Sequence, residues 1–211
     1  MIGSKFHTSY LLRATLLQLV ILAVWWLALV DPLLFLLRTS AGVLFRLLPG
    51  GDSAPPISVD GSGNWNFHIP VEGVIPDAAQ RDRMVKISSI DFTVARSDLI
   101  LFTFPLPVFW AVTLAAGLTK SGIRAVLQGT VVVSLVNVLL LLAFAEINAR
   151  RTVLQMNPSP DRLALWLTEL AHHVAVNVMP FAAPLLVAIA IHPGLRDQLF
   201  SSKALRKAGP G

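Results

Sequence analysis

The chain has 211 residues, of which 55% are hydrophobic and only 14% charged, so it is not an ordinary soluble domain but an integral membrane protein. The net charge of +5 does not indicate nucleic-acid binding, because the Lys and Arg residues are scattered and lie near the ends of apolar segments. The absence of cysteine excludes disulfides, thiolate metal sites and a cysteine nucleophile.

The first apolar run predicts an uncleaved membrane span over about residues 11–30, since it is long and no small-x-small cleavage site follows it. Trp25 and Trp26 are predicted to anchor its outer end at the membrane interface. Asp31-Pro32 then predicts the start of a second helix, because Asp is a good N-cap and Pro suits the first helical position. We expect this helix, residues 32–48, to lie in the interface. The alternative is that it continues the first span, and 1–48 form one region either way.

Residues 49–97 predict a small extramembrane β-module. The breaker segment 49–56 precedes a short strand at Ile57–Val59, and a turn at 61–63 leads into a strand in which apolar and polar residues alternate up to Val71. Gly73 to Asp82 is predicted to be a loop. The next strand, Met84–Val94, changes phase at Ser88-Ser89, which predicts a β-bulge. The module is therefore an antiparallel sheet with one buried face.

Residues 98–195 predict three further spans, which makes the chain mainly helical with four transmembrane helices. The second runs from Leu99 to Leu118, with Pro105 and Pro107 tolerated in its first turn or at a kink. The third covers 125–145, after a tight basic loop at 119–124. Asp161 starts the last helix, which becomes a span over 173–191 and is followed by a basic tail at 196–211.

The charges predict the orientation. The side that holds the two termini and the 119–124 loop has eight Lys or Arg residues and one acid, whereas the other side has nine basic and eleven acidic residues. By the positive-inside rule the termini are cytoplasmic and the β-module is periplasmic, in the inner membrane of a bacterium.

No catalytic, cofactor-binding or metal-binding residue is predicted. His172 and His173 are adjacent, and neighbouring side chains on a helix point about 100° apart, so the pair cannot chelate one ion. His68 is placed on the polar face of a strand without an obvious acid or nucleophile partner. A Ser-His-Asp catalytic triad could be assembled from Ser53, His68 and Asp91, but many other combinations are equally possible. The sequence also contains nothing that resembles a nucleophile elbow, so no triad is predicted.

Six residues at the sheet and the strand-to-helix junction are the candidates for binding a partner. Arg96 and Asp98 flank the start of the second span, where an ion pair would fix the junction and Asp98 would suit the positive end of the helix. The other four are aromatic: Trp65, Phe67, Phe92 and Trp110.

Two segments around this junction, 92–98 and 102–110, resemble the exosortase H-associated membrane proteins of Gram-negative bacteria. The plan of a first span, an external β segment and three more spans is similar too, so the resemblance covers nearly the whole chain. Proteins of this family accompany an exosortase-type transpeptidase, which processes surface proteins bearing a C-terminal sorting signal. The family has no established catalytic residues, and the exosortase itself is a polytopic cysteine transpeptidase, which a chain without cysteine cannot be.

The resemblance implies a non-catalytic accessory protein of exosortase-dependent sorting, whose partners are the lipid bilayer and the exosortase or its substrate. We expect a strand edge and the aromatic face of Trp65 and Phe67 to receive a peptide by β-addition, while the spans pack against the partner. One alternative is a lipid or small-solute transporter subunit, with Asn137 and Asn177 converging at the bilayer midplane. The other is a membrane-embedded hydrolase that depends on His68 or His173.

Overall fold

The computed structural model describes residues 2–47, 57–76, 84–116, 120–157, 159–192 and 195–196. Its architecture confirms the predicted mainly helical chain with a small antiparallel sheet. The predicted breaker segment at 49–56 and the tail beyond residue 196 lie outside the described residues. In chain order the elements are α1 (Ile2–Val24), a π-helical turn (Trp25–Leu29), α2 (Val30–Arg46), β1 (Ile57–Val59), β2 (Trp65–Pro76), β3 (Met84–Val94), α3 (Arg96–Ile100), α4 (Pro105–Ala115), α5 (Lys120–Met156), α6 (Arg162–His173), a second π-helical turn (Val174–Val178) and α7 (Met179–Ile191).

Four helical segments among the described residues are long and apolar enough to cross a membrane: Leu12–Arg46, Arg96–Ala115, Ser121–Met156 and Arg162–Ile191. They suggest a multi-pass membrane protein, as predicted from the composition. Large apolar side chains stand exposed along them, as with Leu27 at 83% and Leu127 at 66% of their surface. Such side chains are costly in water and are ordinary against lipid tails.

The first of these segments is one continuous helix, so the prediction that a second helix begins at Asp31 is wrong. Pro32 has no N–H to give to the carbonyl of Ala28, four residues earlier. The chain accommodates the proline with the π-helical turn just before it, in which the Val30 N–H bonds to the Trp25 carbonyl, five residues back. The Asp31-Pro32 motif, which is typical of a helix start, therefore lies inside a continuous helix.

The last of the four segments also has a π-helical turn just before a proline. Pro180 lies two residues beyond the π-helical turn Val174–Val178, and the Met179 N–H bonds to the Val174 carbonyl. The start of the segment matches the prediction, because Asp161 caps α6 and its carboxylate accepts from the backbone N–H groups of Leu163 and Ala164.

The second and third segments differ from the predicted bounds. A turn at 101–104 separates α3 from α4, and Pro105 and Pro107 lie in the first turn of α4, where their missing N–H groups are not needed. The third helix is longer than the predicted 125–145. It already begins at Lys120, so most of the predicted basic loop at 119–124 is helical, and it ends at Met156.

The chain forms two compact units, of which the first comprises Met1–Pro32, Thr103–Val136 and Phe181–Gly211. In this unit α1 packs along α4. Trp25 was predicted to lie at the membrane interface, yet its ring is buried and its Nε1 donates to Thr103 Oγ1 at 3.1 Å. Phe109 is fully buried, and a methyl group on Gly129 would collide with its ring. Close helix packing through a small residue is typical of membrane helices.

The second unit comprises Leu33–Phe102 and Asn137–Pro180, and it contains the sheet. The predicted apolar face of α2 is buried at Leu34, Leu37, Ala41 and Phe45. Phe144 of α5 lies 5.3 Å from the ring of Phe102 and 5.7 Å from that of His172. Glu169 of α6 accepts from Arg151 Nε at 2.7 Å and from Gln155 Nε2 at 3.2 Å, which joins the ends of α5 and α6.

The sheet has the strand order β1-β2-β3 and is antiparallel throughout. Its register shifts between Pro70 and Gly73, where two residues of β2 face one of β3, Ser88. The phase change at Ser88-Ser89 therefore predicted the position of the bulge along the sheet correctly. The extra residue, however, lies in β2 and not in β3. The predicted loop from Gly73 is wrong up to Pro76, because β2 continues to that residue, and 77–83 lie outside the described residues.

Candidate functional site

The strand-to-helix junction forms directly: only Ala95 separates β3 from α3. The backbone N–H of Arg96 donates to Asn64 Oδ1 at 3.1 Å, which satisfies one of the free N–H groups at the start of the helix. The stem of Arg96 lies against Gly63, whose φ of +80° is a conformation that suits glycine. The β1–β2 turn and the start of α3 are therefore tied together.

Asp60 organises that turn. Its Oδ1 accepts from the backbone N–H groups of Ser62 at 2.8 Å and Asn64 at 2.9 Å, and its Oδ2 accepts from Asn64 Nδ2 at 3.0 Å. These bonds, first the one from the Asn64 side chain and then those from the backbone, hold the pKa of the Asp60 carboxyl below its usual value. The amide of Asn64 thus bonds Asp60 on one side and Arg96 on the other.

Asp60 and Asn64 were not among the predicted site residues, although the sequence around them contains a turn signal. The stretch Asp-Gly-Ser-Gly-Asn combines an Asx side chain that caps a turn with glycine that permits positive φ. That signal predicts the turn, but the contact with Arg96, 32 positions further along the chain, depends on the strand register.

Three of the predicted partner-binding residues form the core side of the sheet. Trp65 and Phe67 are 3% and 1% exposed, and the ring of Phe67 stacks on that of Phe92 at 5.2 Å. The chain itself covers the rings of Trp65 and Phe67, and the binding of a peptide at this aromatic face stays a prediction. Burial of the apolar side of a half-buried strand is the physical reason.

Trp110 and Asp98 belong to helices rather than to the sheet. The Nε1 of Trp110 donates to Thr130 Oγ1 at 2.9 Å, inside the first unit. Asp98 lies in the first turn of α3, as expected for an acid at the positive end of a helix. Its predicted ion pair with Arg96 stays a prediction.

The opposite face of the sheet carries an open depression of about 230 Å³, and most of the residues that line it are polar. His68 Nδ1 lies 2.7 Å from Asp91 Oδ1, and Thr93 Oγ1 donates to Asn66 Oδ1 at 2.6 Å. Ser58, which pairs with Asn66 in the register, lines the same depression. His68 lies on the polar face of its strand, as predicted. The prediction that it has no obvious acid partner is wrong, because the strand register places Asp91 opposite it.

Asp91, His68 and Ser58 lie on three successive strands of this face, β3, β2 and β1. If the carboxylate of Asp91 accepts the Nδ1 proton, the His68 Nε2 becomes an acceptor, as in a general base. The pair is open to solvent, since the side chains of His68 and Asp91 are 39% and 79% exposed. Ser53 of the earlier trio lies outside the described residues.

The polar residues of the long helices do not share one site. Asn137 is 3% exposed, and its Oδ1 has no hydrogen-bond partner in the described part of the chain. Asn177 is exposed and bonds to His173 instead. His172 turns inward toward Phe144, so the two adjacent histidines diverge as predicted. Within the described ranges no group of three or more His, Asp or Glu is placed to hold a metal ion.

No protein-family model matches the chain, and no curated protein or solved structure matches it significantly. Any functional conclusion therefore depends on the geometry and on the sequence patterns.

Proposed function

We propose that this protein is a non-catalytic accessory of an exosortase-dependent sorting system in the bacterial inner membrane, acting through a periplasmic sheet. The observation that carries the proposal is the position of β3. Among the described strands it lies at the edge of the sheet, has eleven residues, and leads through a single residue into a segment that can span a membrane. A peptide added along this edge would lie close above the bilayer.

The chemistry of a sorting substrate fits this edge. A protein with a C-terminal anchor helix has an extended segment just outside the membrane, and an edge strand offers that segment a row of backbone N–H and C=O groups. Backbone pairing recognises an extended chain with little regard to its sequence, which suits an accessory that serves many substrates. The aromatic rings of Trp65 and Phe67 support the sheet from its buried side in this proposal.

Photo-crosslinking in native membranes tests the proposal. A photoreactive residue would replace Ser88, an exposed residue in the middle of β3, and the control would replace Ser62, an exposed residue in the β1–β2 turn. We expect Ser88 to capture a cysteine-containing polytopic transpeptidase or a protein with a C-terminal anchor helix, identified by mass spectrometry. Equal capture at both positions, or capture of transporter components alone, would exclude the proposal.

The second candidate is an acyl hydrolase on the polar face, which the 2.7 Å contact between His68 and Asp91 favours. In this function the Oγ of Ser58 attacks an ester carbonyl as its proton passes to His68 Nε2. The carbon–oxygen bond to the alcohol then breaks, the alcohol leaves with that proton, and water releases the acyl group from the serine.

A fluorophosphonate probe separates the two candidates. The hydrolase predicts labelling of the full chain in detergent that is lost in Ser58→Ala and in His68→Ala but kept in the control Ser62→Ala. An accessory protein that acts by binding predicts no labelling that depends on Ser58.

A further inference from the structure

The two faces of α6 are reversed relative to those of a helix on a soluble protein. Its exposed face is apolar and consists of four large side chains that are between 45% and 64% exposed, Leu163, Trp166, Leu167 and Leu170. A helix on the surface of a soluble protein turns such residues toward the core and its polar residues toward water. The apolar face of α6 therefore indicates apolar surroundings.

The polar residues of α6 contact the rest of the second unit instead. Glu169 accepts from Arg151 Nε at 2.7 Å and from Gln155 Nε2 at 3.2 Å, both on α5. The ring of His172 lies 5.7 Å from that of Phe144. The ion pair matters because a charge close to acyl chains is costly unless an opposite charge accompanies it. The protein thus provides partners for the polar face of α6, and only the apolar face is left to the surroundings.

The apolar face continues along the rest of the fourth long helical segment. Exposed apolar residues recur there every three or four positions, which is the spacing of neighbours on one side of a helix. From the start of α6 they are Leu163, Leu167, Leu170, Val174, Val178, Phe181 and Leu185. The segment is long and apolar enough to cross a membrane, and in a membrane such a surface lies against lipid. The apolar face of α6 is therefore continuous with a lipid-facing surface.

The length of the segment matches a bilayer when the headgroup layers are included. The thirty residues Arg162–Ile191 extend about 45 Å at a rise of about 1.5 Å per residue. The hydrocarbon core is about 30 Å thick, and the bilayer with its headgroup regions about 40–45 Å. With Ile191 at one edge of the core, about 20 residues cross it, and α6 lies in the headgroup region beyond the other edge. Asp161 and Arg162, which are both exposed, would then reach water, and Trp166 would lie where tryptophan is enriched.

We propose that α6 lies in the lipid–water interface at its end of the segment, with its apolar face in contact with the upper part of the acyl chains. The partner of this face is the lipid surface itself. The membrane-embedded part of the chain then extends about three turns beyond the span predicted at 173–191. This inference uses only the described helices and does not depend on the proposed role in sorting.

Nitroxide labels on single cysteines test this location, because the chain has no cysteine of its own. Leu163→Cys and Leu167→Cys would be labelled in the full chain, in nanodiscs of phosphatidylethanolamine and phosphatidylglycerol. Leu185→Cys, at an exposed position of α7, is the lipid reference, and Ser62→Cys, in the β1–β2 turn, is the water reference. Oxygen concentrates in lipid and a nickel chelate stays in water, so we expect the ratio of oxygen to nickel collisions at both α6 labels to be several times that at Ser62. Ratios no higher than that at Ser62 would overturn the proposal, and the ratio at Leu185 would then show whether the rest of the segment is in the membrane.

The fluorescence of Trp166 reports the depth of α6. Its contribution is the difference between wild type and Trp166→Phe, a variant that keeps an aromatic ring at this position. Two lipids would be compared as quenchers, one brominated near the headgroup and the other near the ends of the acyl chains. We expect the lipid brominated near the headgroup to quench Trp166 more strongly, because tryptophan at an interface lies at that level. Stronger quenching by the other lipid, or no quenching of the Trp166 contribution by either, would contradict the interfacial position.

Discussion

Single residues decide how the β1–β2 turn and the packed helices hold together. Asp60 is the acceptor for three hydrogen bonds in its turn, and Gly129 leaves room for one aromatic ring. Both roles can be tested by substitution.

The contribution of Asp60 depends on pH with a defined sign. Its folded-state pKa lies below the usual value of 3.8, so the stabilisation is complete above about 3.8 and is lost as the pH falls through the folded pKa. We expect wild type to melt at a higher temperature than Asp60→Asn at pH 6, and the difference to shrink as the pH falls below 3.8. Thermal unfolding in detergent measures this, and a difference that stays constant would contradict it.

Gly129→Ala should destabilise the first unit. The added methyl group meets the buried ring of Phe109, and overpacking of this kind costs about 1–3 kcal/mol. The matched control is Gly42→Ala in α2, where no atom lies within 4 Å of the added group, so a small gain in helix stability is expected. Thermal unfolding that shows the same sign for both substitutions would contradict the packing.

At the scale of elements, the alternation of apolar and polar residues predicted the strands and their buried faces well. The alternation did not predict which residues pair across the strands. His68 and Asp91 meet because of a register set by turns and by a bulge between Pro70 and Gly73. Helix continuity was predicted least well. Asp31-Pro32 has the chemistry of a helix start, yet the helix continues through it, with a π-helical turn just before the proline. Local signals cannot distinguish these outcomes.

The packing of α5 on the sheet gives a prediction at this scale. A methyl group on Gly73 would lie 2.5 Å from Cγ1 of Val153, and a β-branched side chain has little freedom to move aside. Gly73→Ala should therefore lower the free energy of unfolding by about 1–3 kcal/mol. Val153→Ala in the same chain should restore part of it, and no rescue in urea or thermal unfolding would show that the two elements do not pack there.

For the molecule as a whole, the property with the widest consequence is the side of the membrane that the sheet occupies. The charges predict cytoplasmic termini, and four long apolar helices are compatible with an even number of crossings. The absence of cysteine makes this orientation directly measurable.

A membrane-impermeant maleimide should label Ser62→Cys in intact spheroplasts. Ser121→Cys, at the start of α5, should be labelled only after the membrane is permeabilised, because that end of the helix is predicted to be cytoplasmic. Wild type provides the unlabelled control. The reverse pattern would place the sheet in the cytoplasm and remove it from any contact with exported proteins.

Because β3 leads directly into α3, the direction of the chain in β3 relative to that helix is fixed. β3 runs toward its own membrane segment and spans about 36 Å at the usual rise per residue. A protein held by a C-terminal anchor likewise runs toward the membrane as it approaches that anchor. If such a protein pairs along β3, the two strands are parallel, whereas a protein with an N-terminal anchor would have to pair antiparallel. The polarity of the chain would then let the sheet distinguish C-terminal anchors from N-terminal ones before any side chain is recognised.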